Sequence, residues 1–372
     1  MTTPSLGPIE PWLAKMSELD ASDLFLTVGS PPMALVNKRL VPLSETLLVS
    51  QDLEAVVAPF LADGRAAEFA KRPDLDLATA VPGKGRFRLN IFRQRNELGL
   101  VARRVKLELP SIEGLALPPV LGRLALEKRG VLLVTGATGS GKSTTLAAMI
   151  DHRNRSTEGH IVTIEDPIEF IHPHRKSVVT QREVGIDTAT YHDALKSALR
   201  QAPDMLLIGE IRDRATAEAA LHFGETGHLV MATLHSTNAA QTLERVMNLF
   251  PEDTHPQVRM LLSLSLVGIV SQRLIASSDG KSRIAAFEVL LPTPRVRDLV
   301  KQWDISGIKT ALAEGGDGMQ SFDESLYRIV KAGKLTFADA VNYADSPSDF
   351  RLRFHLEGSA AKKEDKPKMG LK

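Results

Sequence analysis

A chain of 372 residues with 43% hydrophobic and 24% charged side chains has an ordinary water-soluble composition and is long enough for two domains. Its 46 basic and 45 acidic residues leave a net charge of +1, which provides no overall electrostatic footprint for nucleic acid. The absence of cysteine excludes disulfides, cysteine zinc sites and thiol catalysis, and it suits a reducing cytoplasm.

Neither a signal peptide nor a membrane-spanning segment is predicted. The N-terminus reads MTTPSLGPIEPW and lacks a basic region followed by an apolar core. The most apolar long stretch, residues 260–275, is interrupted by polar residues and is predicted to be a buried helix. Any association with a membrane is therefore expected to come through partners.

The first hundred residues are predicted to form a small α+β domain. Helical patterns fall at about residues 11–18, 51–61 and 66–71. Strand patterns fall at residues 23–28, 33–36, 39–41, 75–81, 85–92 and 98–105. This mixture predicts an antiparallel sheet with helices and carries no catalytic motif of its own.

The last two of these strands are rich in arginine. The arginines are Arg86, Arg88, Arg93, Arg95, Arg103 and Arg104. A solvated sheet face is the ordinary explanation for such charge. The alternative is an anion facing the sheet, such as a neighbouring subunit's nucleotide, because an arginine supplied in trans accelerates phosphoryl transfer by about 10³–10⁵-fold.

Residues 131–144 read VLLVTGATGSGKST, a short apolar run that leads through a glycine-rich loop into a helical pattern. This is G-x-x-x-x-G-K-[ST] in a strand–loop–helix context, which is typical of a phosphate-binding P-loop. The predicted nucleotide-binding residues are Gly136, Ala137, Thr138, Gly139, Ser140, Gly141, Lys142, Ser143 and Thr144. Lys142 would reach the β- and γ-phosphates and Ser143 would ligate Mg²⁺. The alternative is a glycine-rich turn with a chance lysine.

From about residue 117, apolar strands alternate with amphipathic helices, which predicts a mostly parallel sheet. The strands are predicted at residues 131–135, 161–164, 205–208 and 229–233. Because ligands bind at the carboxyl ends of parallel strands, we expect the residues that follow these strands to converge near the P-loop.

Acidic and histidine side chains follow three of these strands. Glu165, Asp166 and Glu169 are candidates for a water-positioning carboxylate, or they decorate a helix N-terminus. Glu210 fits the Walker B acid that holds Mg²⁺, although Gly209 stands where an aspartate is common. His235, at the carboxyl end of the last strand, is the better γ-phosphate sensor and His228 lies at the far end, although a lone histidine is usually structural.

Together these motifs resemble the type IV pilus retraction ATPases, the PilT/PilU family within the secretion-ATPase superfamily. The resemblance rests on GRFR at 85–88, the P-loop, IEDPIEF at 164–170, QREVG at 181–185, RQAPD at 200–204, GEIRD at 209–213, TGHLVMATLH at 226–235, FDESLYRIV at 322–330 and ADSPSDFRLR at 344–353. FRQRNELGLVARRV at 92–105 and FPED at 250–253 are similar to PilU-like members.

The resemblance implies a PAS-like α+β domain over residues 1–106, a linker over 107–118 and a RecA-like α/β ATPase domain over 119–357. The polar tail, residues 358–372, is predicted to be disordered. The resemblance also implies a homo-hexamer with ATP and Mg²⁺ at the subunit boundaries. Glu169 would be the catalytic carboxylate and Glu210 the Walker B acid. His235 would lie near the γ-phosphate, and Arg88 and Arg103 would act near a shared site.

The implied function is an ATPase motor that powers pilus retraction and twitching motility, cytoplasmic and peripheral at the inner membrane through a platform protein. PilT-like members carry an AIRNLIREGK-type segment, but residues 294–303 read PRVRDLVKQW. An accessory role beside a PilT-type motor is therefore an open alternative. A pilus-assembly or type II secretion ATPase is another, although the usual four-cysteine zinc module is absent. A ring subunit with dispensable ATP turnover and a DNA translocase are the remaining alternatives, and the balanced charge argues against the translocase.

Overall fold

The computed structural model describes residues 6–62, 64–105, 108–278 and 282–364, with side chains described up to residue 356. The chain forms two compact units. The first comprises Met1–Leu109, Asp166–Pro173 and Gln181–Ala194, and the second comprises Pro110–Glu165, His174–Thr180 and Leu195–Lys372. The first unit thus includes two segments that the sequence placed in the ATPase domain. Residues 106 and 107, at the predicted domain boundary, lie outside the described residues.

The first unit is built on a six-stranded antiparallel sheet in the order β3-β2-β1-β6-β5-β4. Its strands are β1 (Asp23–Thr27), β2 (Met33–Val36), β3 (Arg39–Pro42), β4 (Asp74–Val81), β5 (Gly85–Gln94) and β6 (Glu97–Val105). Its helices are α1 (Glu10–Glu18), α2 (Ser50–Val57) and α3 (Arg65–Lys71). The strands and helices that the sequence predicts for this region are confirmed.

Alternation along the strands of this unit separates a core face from a polar face. Phe87, Leu89 and Ile91 on β5 are fully buried, and they pack with Leu13 and Met16 of α1 in one apolar cluster. Arg86 and Arg88, which alternate with these residues, therefore lie on the opposite face of the sheet, as the period of a strand requires.

The second unit contains a seven-stranded sheet in the order β13-β12-β7-β11-β10-β8-β9. Its strands are β7 (Gly130–Thr135), β8 (Gly159–Glu165), β9 (Ser177–Glu183, which ends in the first unit), β10 (Met205–Ile208), β11 (Leu229–Leu234), β12 (Leu266–Ala276) and β13 (Arg283–Leu290). Strands β12, β7, β11, β10 and β8 pair in parallel, and β13 is antiparallel to β12. The predicted α/β class with a parallel sheet is confirmed.

Eleven helices complete the described part of the chain. They are α4 (Val120–Ala125), α5 (Lys142–Ser156), α6 (Tyr191–Ala198), α7 (Arg214–Glu225), α8 (Ala239–Met247), α9 (His255–Ser265), α10 (Pro294–Gln302), α11 (Ile305–Glu314), α12 (Phe322–Lys331), α13 (Phe337–Tyr343) and α14 (Pro347–Glu364). Helix α14 extends beyond residue 358, where the predicted tail begins, and residues 365–372 lie outside the described residues. None of the described helices is long and apolar enough to cross a membrane.

The prediction of a single buried helix over residues 260–275 is wrong. Helix α9 ends at Ser265, and the chain continues directly as strand β12, an interior strand of the sheet. Strand β12 lies between β7 and β13, and residues 268–272 are buried. A strand covered on both faces is apolar throughout and lacks the period-2 pattern that distinguishes a strand from a buried helix.

Candidate nucleotide-hydrolysis site

The P-loop connects the carboxyl end of β7, an interior strand of the second unit's sheet, to helix α5. Its glycines adopt positive φ angles, 149° at Gly136, 76° at Gly139 and 91° at Gly141. A Cβ atom at Gly136 would lie 2.4 Å from the carbonyl oxygen of Gln272, and one at Gly141 would lie 2.8 Å from the Gln272 side chain. Gly136 and Gly141 are therefore needed both for the backbone conformation and for close packing on β12.

Lys142 begins α5 and is almost buried, at 9% exposed. Its Nζ donates to the carbonyl oxygens of Gly136, at 2.8 Å, and Ala137, at 3.1 Å, so that the ammonium group lies against the loop. The buried hydroxyl of Ser140 makes no hydrogen bond to the part of the chain that the structure describes. A helix N-terminus, a lysine and a spare hydroxyl donor together suit a polyphosphate.

Gln272 of β12 packs against the P-loop at Gly136 and Gly141. The sequence patterns do not predict this contact. The side-chain Oε1 of Gln272 accepts a hydrogen bond from Thr145 Oγ1 of α5 at 2.7 Å, and Gln272 is 4% exposed. Gln272 and the preceding Ser271 interrupt an apolar run, and that interruption was the available signal. Because the pattern of this run favours a helix, it does not predict that the pair lies beside the P-loop.

Glu210 and His235 are brought together, as the sequence predicted for residues at the carboxyl ends of neighbouring strands. His235 Nε2 lies 3.2 Å from Glu210 Oε1, and Arg212 Nε donates to Glu210 Oε2 at 2.6 Å. Thr233 Oγ1 donates to the carbonyl oxygen of Gly209 at 2.5 Å and so fixes the segment that follows β10 to the end of β11. Arg212 is a second contact of Glu210 that the motif reading did not anticipate.

His228 lies at the opposite end of β11. Its Nδ1 lies 3.2 Å from the carbonyl oxygen of Phe223, and its ring packs edge-on against the Phe223 ring. These contacts fasten α7 to the start of β11 and give His228 a structural role.

The three carboxylates at the end of β8 are divided between the two units. Glu165 ends β8 in the second unit, where its Oε1 accepts a hydrogen bond from Thr163 Oγ1 at 2.6 Å. Asp166 and Glu169 belong to the first unit, where Glu169 is exposed between the buried Ile168 and Phe170. The catalytic role of Glu169 stays a prediction.

Arg88 and Arg103 lie on the polar face of the first unit's sheet and have carboxylate partners there. Arg88 of β5 lies directly opposite Arg103 of β6. The Arg88 guanidinium is 3.5 Å from Glu183, and Arg103 donates to Asp23 at 2.7 Å. Burial raises the pKa of Glu183, while Arg88 and Arg86 oppose that rise. Action of Arg88 or Arg103 on a neighbour's nucleotide stays a prediction.

Two clefts in the second unit differ in their relation to this chemistry. One, of about 360 Å³, is lined by His235, Ser236 and residues of α8. A larger one, of about 1070 Å³, surrounds Gly130 and Thr293, at the opposite end of β7 from the P-loop. Because parallel sheets bind ligands at the carboxyl ends of their strands, the P-loop end is where a nucleotide is expected.

Comparison with known proteins agrees with this geometry. The family model described as Type II/IV secretion system protein matches residues 114–331. The type IV pilus ATPase PilU of Pseudomonas aeruginosa is 47% identical over 348 residues, which cover 93% of this chain and 91% of PilU. The protein named type IV pilus retractation ATPase PilT, from the same organism, is 41% identical and covers 91% of this chain and 98% of its own.

A solved structure is similar over the same length. The crystal structure of the pilus retraction motor PilT with bound ADP superposes with a TM-score of 0.84 at 38% identity, and it covers 92% of this chain and 98% of that chain. The sequence relatives and the solved structure thus match more than nine-tenths of the chain, and the family model matches residues 114–331. The chain belongs to the Type II/IV secretion system protein family and, within it, to the type IV pilus ATPases of the PilT/PilU kind.

Proposed function

We propose that this chain is a subunit of a hexameric ring motor that hydrolyses ATP to retract type IV pili and so drives twitching motility. The observation that carries the proposal is the P-loop packed on Gln272, with Glu210 and His235 in contact after the ends of β10 and β11, in a chain 47% identical to PilU. We place the motor in the cytoplasm, at the inner membrane through a platform protein.

In this proposal each side chain has a distinct task. Lys142 and the loop N–H groups bind the β- and γ-phosphates. The Glu210 carboxylate accepts a hydrogen bond from Arg212 and lies beside His235. These two contacts orient the carboxylate toward the nucleotide end of the sheet. Glu169 positions the attacking water, and Arg88 or Arg103 of a neighbouring subunit stabilises the charge that develops on the phosphoryl group.

A magnesium ion fits the residues present. Within the described residues no group of three or more His, Asp or Glu side chains could hold a metal by itself. Mg²⁺ commonly takes one or two protein oxygens and completes its shell with phosphate oxygens and water. Ser143 and Glu210 would provide those protein oxygens, and the bound ion would neutralise phosphate charge.

The site assignment is tested by ATP hydrolysis of Lys142→Ala, compared with Lys128→Ala. Lys128 is exposed and precedes the opposite end of β7. We expect Lys142→Ala to lose hydrolysis, because the lysine binds the β- and γ-phosphates, and Lys128→Ala to retain it. Normal hydrolysis by Lys142→Ala would refute the assignment.

The cellular role is tested by deleting the gene and scoring surface pili and twitching. Retraction predicts cells that carry surplus pili and do not twitch, whereas an assembly or secretion motor predicts loss of surface pili or of secretion. Complementation with Glu210→Ala separates a motor from a ring subunit with dispensable ATP turnover, since only the latter would restore twitching.

An accessory PilU-type role beside a PilT-type motor is the second candidate. The higher identity to PilU than to PilT favours it. It predicts that cells lacking the PilT-type ATPase do not twitch even when this chain is overproduced. An independent motor would restore twitching in those cells.

A further inference from the structure

Glu288 is a buried acid that the proposed catalytic mechanism does not use. It lies on β13 and is 3% exposed. The sheet register places Leu234, Thr135, Ser271 and Glu288 in one row across β11, β7, β12 and β13. On β7 this row lies one residue before the P-loop, because Gly136 follows Thr135.

A chain of hydrogen bonds follows this row to Glu288. Thr135 Oγ1 donates to Ser271 Oγ at 3.1 Å, and Ser271 Oγ lies 3.3 Å from Glu288 Oε1 as a donor. Thr135 and Ser271 are fully buried. Burial of a carboxyl group costs free energy unless its oxygens accept hydrogen bonds. The hydrogen-bond partners of Glu288 therefore show what its burial stabilises.

The shortest of these contacts is made with the first residue of helix α8. The backbone N–H of Ala239 donates to Glu288 Oε1 at 2.6 Å, and both residues are buried. Asn238 caps the same helix by accepting from Gln241 N at 2.9 Å. Helix α8 is thus fixed at its N-terminus by a residue from the far edge of the sheet.

Helix α8 in turn holds the residue after His235. Thr242 Oγ1 lies 2.7 Å from Ser236 Oγ and donates to the carbonyl oxygen of Asn238 at 2.7 Å. Thr242 also lies 3.4 Å from Thr135 Oγ1. The loop of residues 235–238 is therefore tied to the same row of the sheet that Glu288 terminates.

We propose that Glu288 is a positioning residue that fixes His235 for ATP hydrolysis, through the N-terminus of α8 and the Ser236–Thr242 hydrogen bond. The inference rests on the proposed role of His235 in hydrolysis. Among the described residues, the hydrogen bonds of Glu288 are made with Ala239 and Ser271 and not with the P-loop or His235. Its effect is to hold α8, and with it the loop from which His235 projects toward Glu210.

The test measures kcat and KM for ATP in Glu288→Ala, Glu288→Gln and His235→Ala. We expect Glu288→Ala to lower kcat by about 10–100-fold, as misplacement of a reacting group does. KM should stay within about twofold, because the lost contact does not bind substrate in the ground state. Glu288→Gln keeps an acceptor oxygen and should recover most of kcat.

Val289→Ala is the matched control. Val289 is fully buried on the same strand, and alternation directs its side chain to the opposite face. A merely structural role for Glu288 would give Val289→Ala and Glu288→Ala similar losses of kcat. The proposal expects Val289→Ala to lower thermal stability while kcat is retained.

The double variant His235→Ala/Glu288→Ala decides whether the two residues act together. If Glu288 acts through His235, the double variant is no slower than His235→Ala alone. Multiplying losses would overturn the inference. Should His235→Ala itself hydrolyse ATP normally, the proposed role of His235 fails, and a slow Glu288→Ala would then have to be explained without it.

Thr242→Val keeps the test decisive if Glu288→Ala does not fold. This nearly isosteric change removes the hydrogen bonds of the Thr242 hydroxyl with Ser236 and with the Asn238 carbonyl, and it leaves the Glu288–Ala239 bond in place. We expect kcat to fall and the loss to disappear in the His235→Ala background. An unchanged kcat in Thr242→Val would refute the path from Glu288 to His235.

Discussion

Gly139 and Gly141 of the P-loop both have positive φ angles, but a side chain would meet different surroundings at each. A Cβ at Gly139 would have no heavy atom within 4 Å, whereas one at Gly141 would lie 2.8 Å from Gln272 Nε2. Gln272 cannot move aside without breaking its hydrogen bond to Thr145. The two glycines therefore form a matched pair that separates backbone strain from steric overlap.

We expect Gly139→Ala to lower the free energy of unfolding by about 1–2 kcal/mol, the usual cost of a left-handed conformation for alanine. Gly141→Ala should cost a further 1–3 kcal/mol or so, because overpacking adds to that strain. Urea unfolding of the two variants measures the difference. Equal losses would show that Gln272 does not pack rigidly against the loop.

Glu288 makes a second prediction, on the dependence of stability on pH. Burial raises its pKa to about 7, and Asp345 adds to the rise, while the Ala239 N–H, the Ser271 hydroxyl and Arg273 oppose it. The folded chain therefore keeps a proton that the unfolded chain loses between pH 4.5 and about 7. The stabilising contribution of this proton is complete below that window and is lost as the pH rises through it.

Glu288→Gln removes this titration and should flatten the profile. Between pH 5.5 and 8.0 the wild-type chain should lose about 2 kcal/mol more unfolding free energy than the variant, at 1.36 kcal/mol per pH unit of the window crossed. Urea unfolding of both proteins at the two pH values gives the difference. Parallel profiles would mean that Glu288 titrates as an ordinary exposed glutamate.

At the scale of elements, one arginine side chain of helix α10 caps the C-terminus of the neighbouring helix α9. Arg297 Nη1 donates to the carbonyl oxygens of Ser263, at 2.6 Å, and Leu264, at 3.0 Å, and Nη2 donates to that of Leu266 at 3.4 Å. These carbonyls lie where α9 gives way to β12. The positive charge also favours the negative end of the helix dipole.

Arg297→Ala should lower the free energy of unfolding by about 2–3 kcal/mol, because charge-assisted hydrogen bonds to half-buried carbonyls are lost. Arg295 on the same helix is the control, since it pairs with Glu314 on the surface and both side chains are more than half exposed. Arg295→Ala should cost less than about 1 kcal/mol. Similar losses in thermal or urea unfolding would contradict the assignment of Arg297 to the α9 terminus.

Strand β12 shows why part of the fold escaped prediction. Strands β7, β10 and β11 were found because each short apolar run is bounded by glycine, proline or polar residues. Helix α9 and strand β12 join at Ser265 without such a boundary, and both are largely apolar. The pairing of β12 with β7 and β13 separates them, and the contact with β7 is long-range and has no local signature.

At the scale of the whole molecule, the predicted part of the site is the part that topology fixes. Glu210 and His235 meet because β10 and β11 are parallel neighbours, so the residues that follow them share one edge of the sheet. Gln272 lies 127 residues from its partner Thr145, and Glu288 lies 49 residues from Ala239. Those contacts depend on where β12 and β13 join the sheet, which local patterns do not determine.

The arginine-rich strands raise the remaining question, whether one subunit completes the site of the next. Arg88 and Arg103 lie side by side on the first unit's sheet, and the P-loop lies in the second unit. In a ring with head-to-tail contacts, each subunit presents one surface to one neighbour and a different surface to the other. A variant in the P-loop and a variant in a trans-acting arginine would then damage different surfaces.

Mixed rings test this directly. Lys142→Ala and Arg88→Ala subunits are each expected to be inactive alone. If Arg88 acts in trans, an equal mixture should recover about one quarter of the wild-type ATPase rate, because about that fraction of sites combines an intact P-loop with an intact neighbour. The same experiment with Arg103→Ala identifies which arginine acts.

Lys142→Ala mixed with Glu210→Ala is the control: both residues belong to one subunit's site, so no intact site can form. Recovery no greater than in this control would place Arg88 within its own subunit or outside the site.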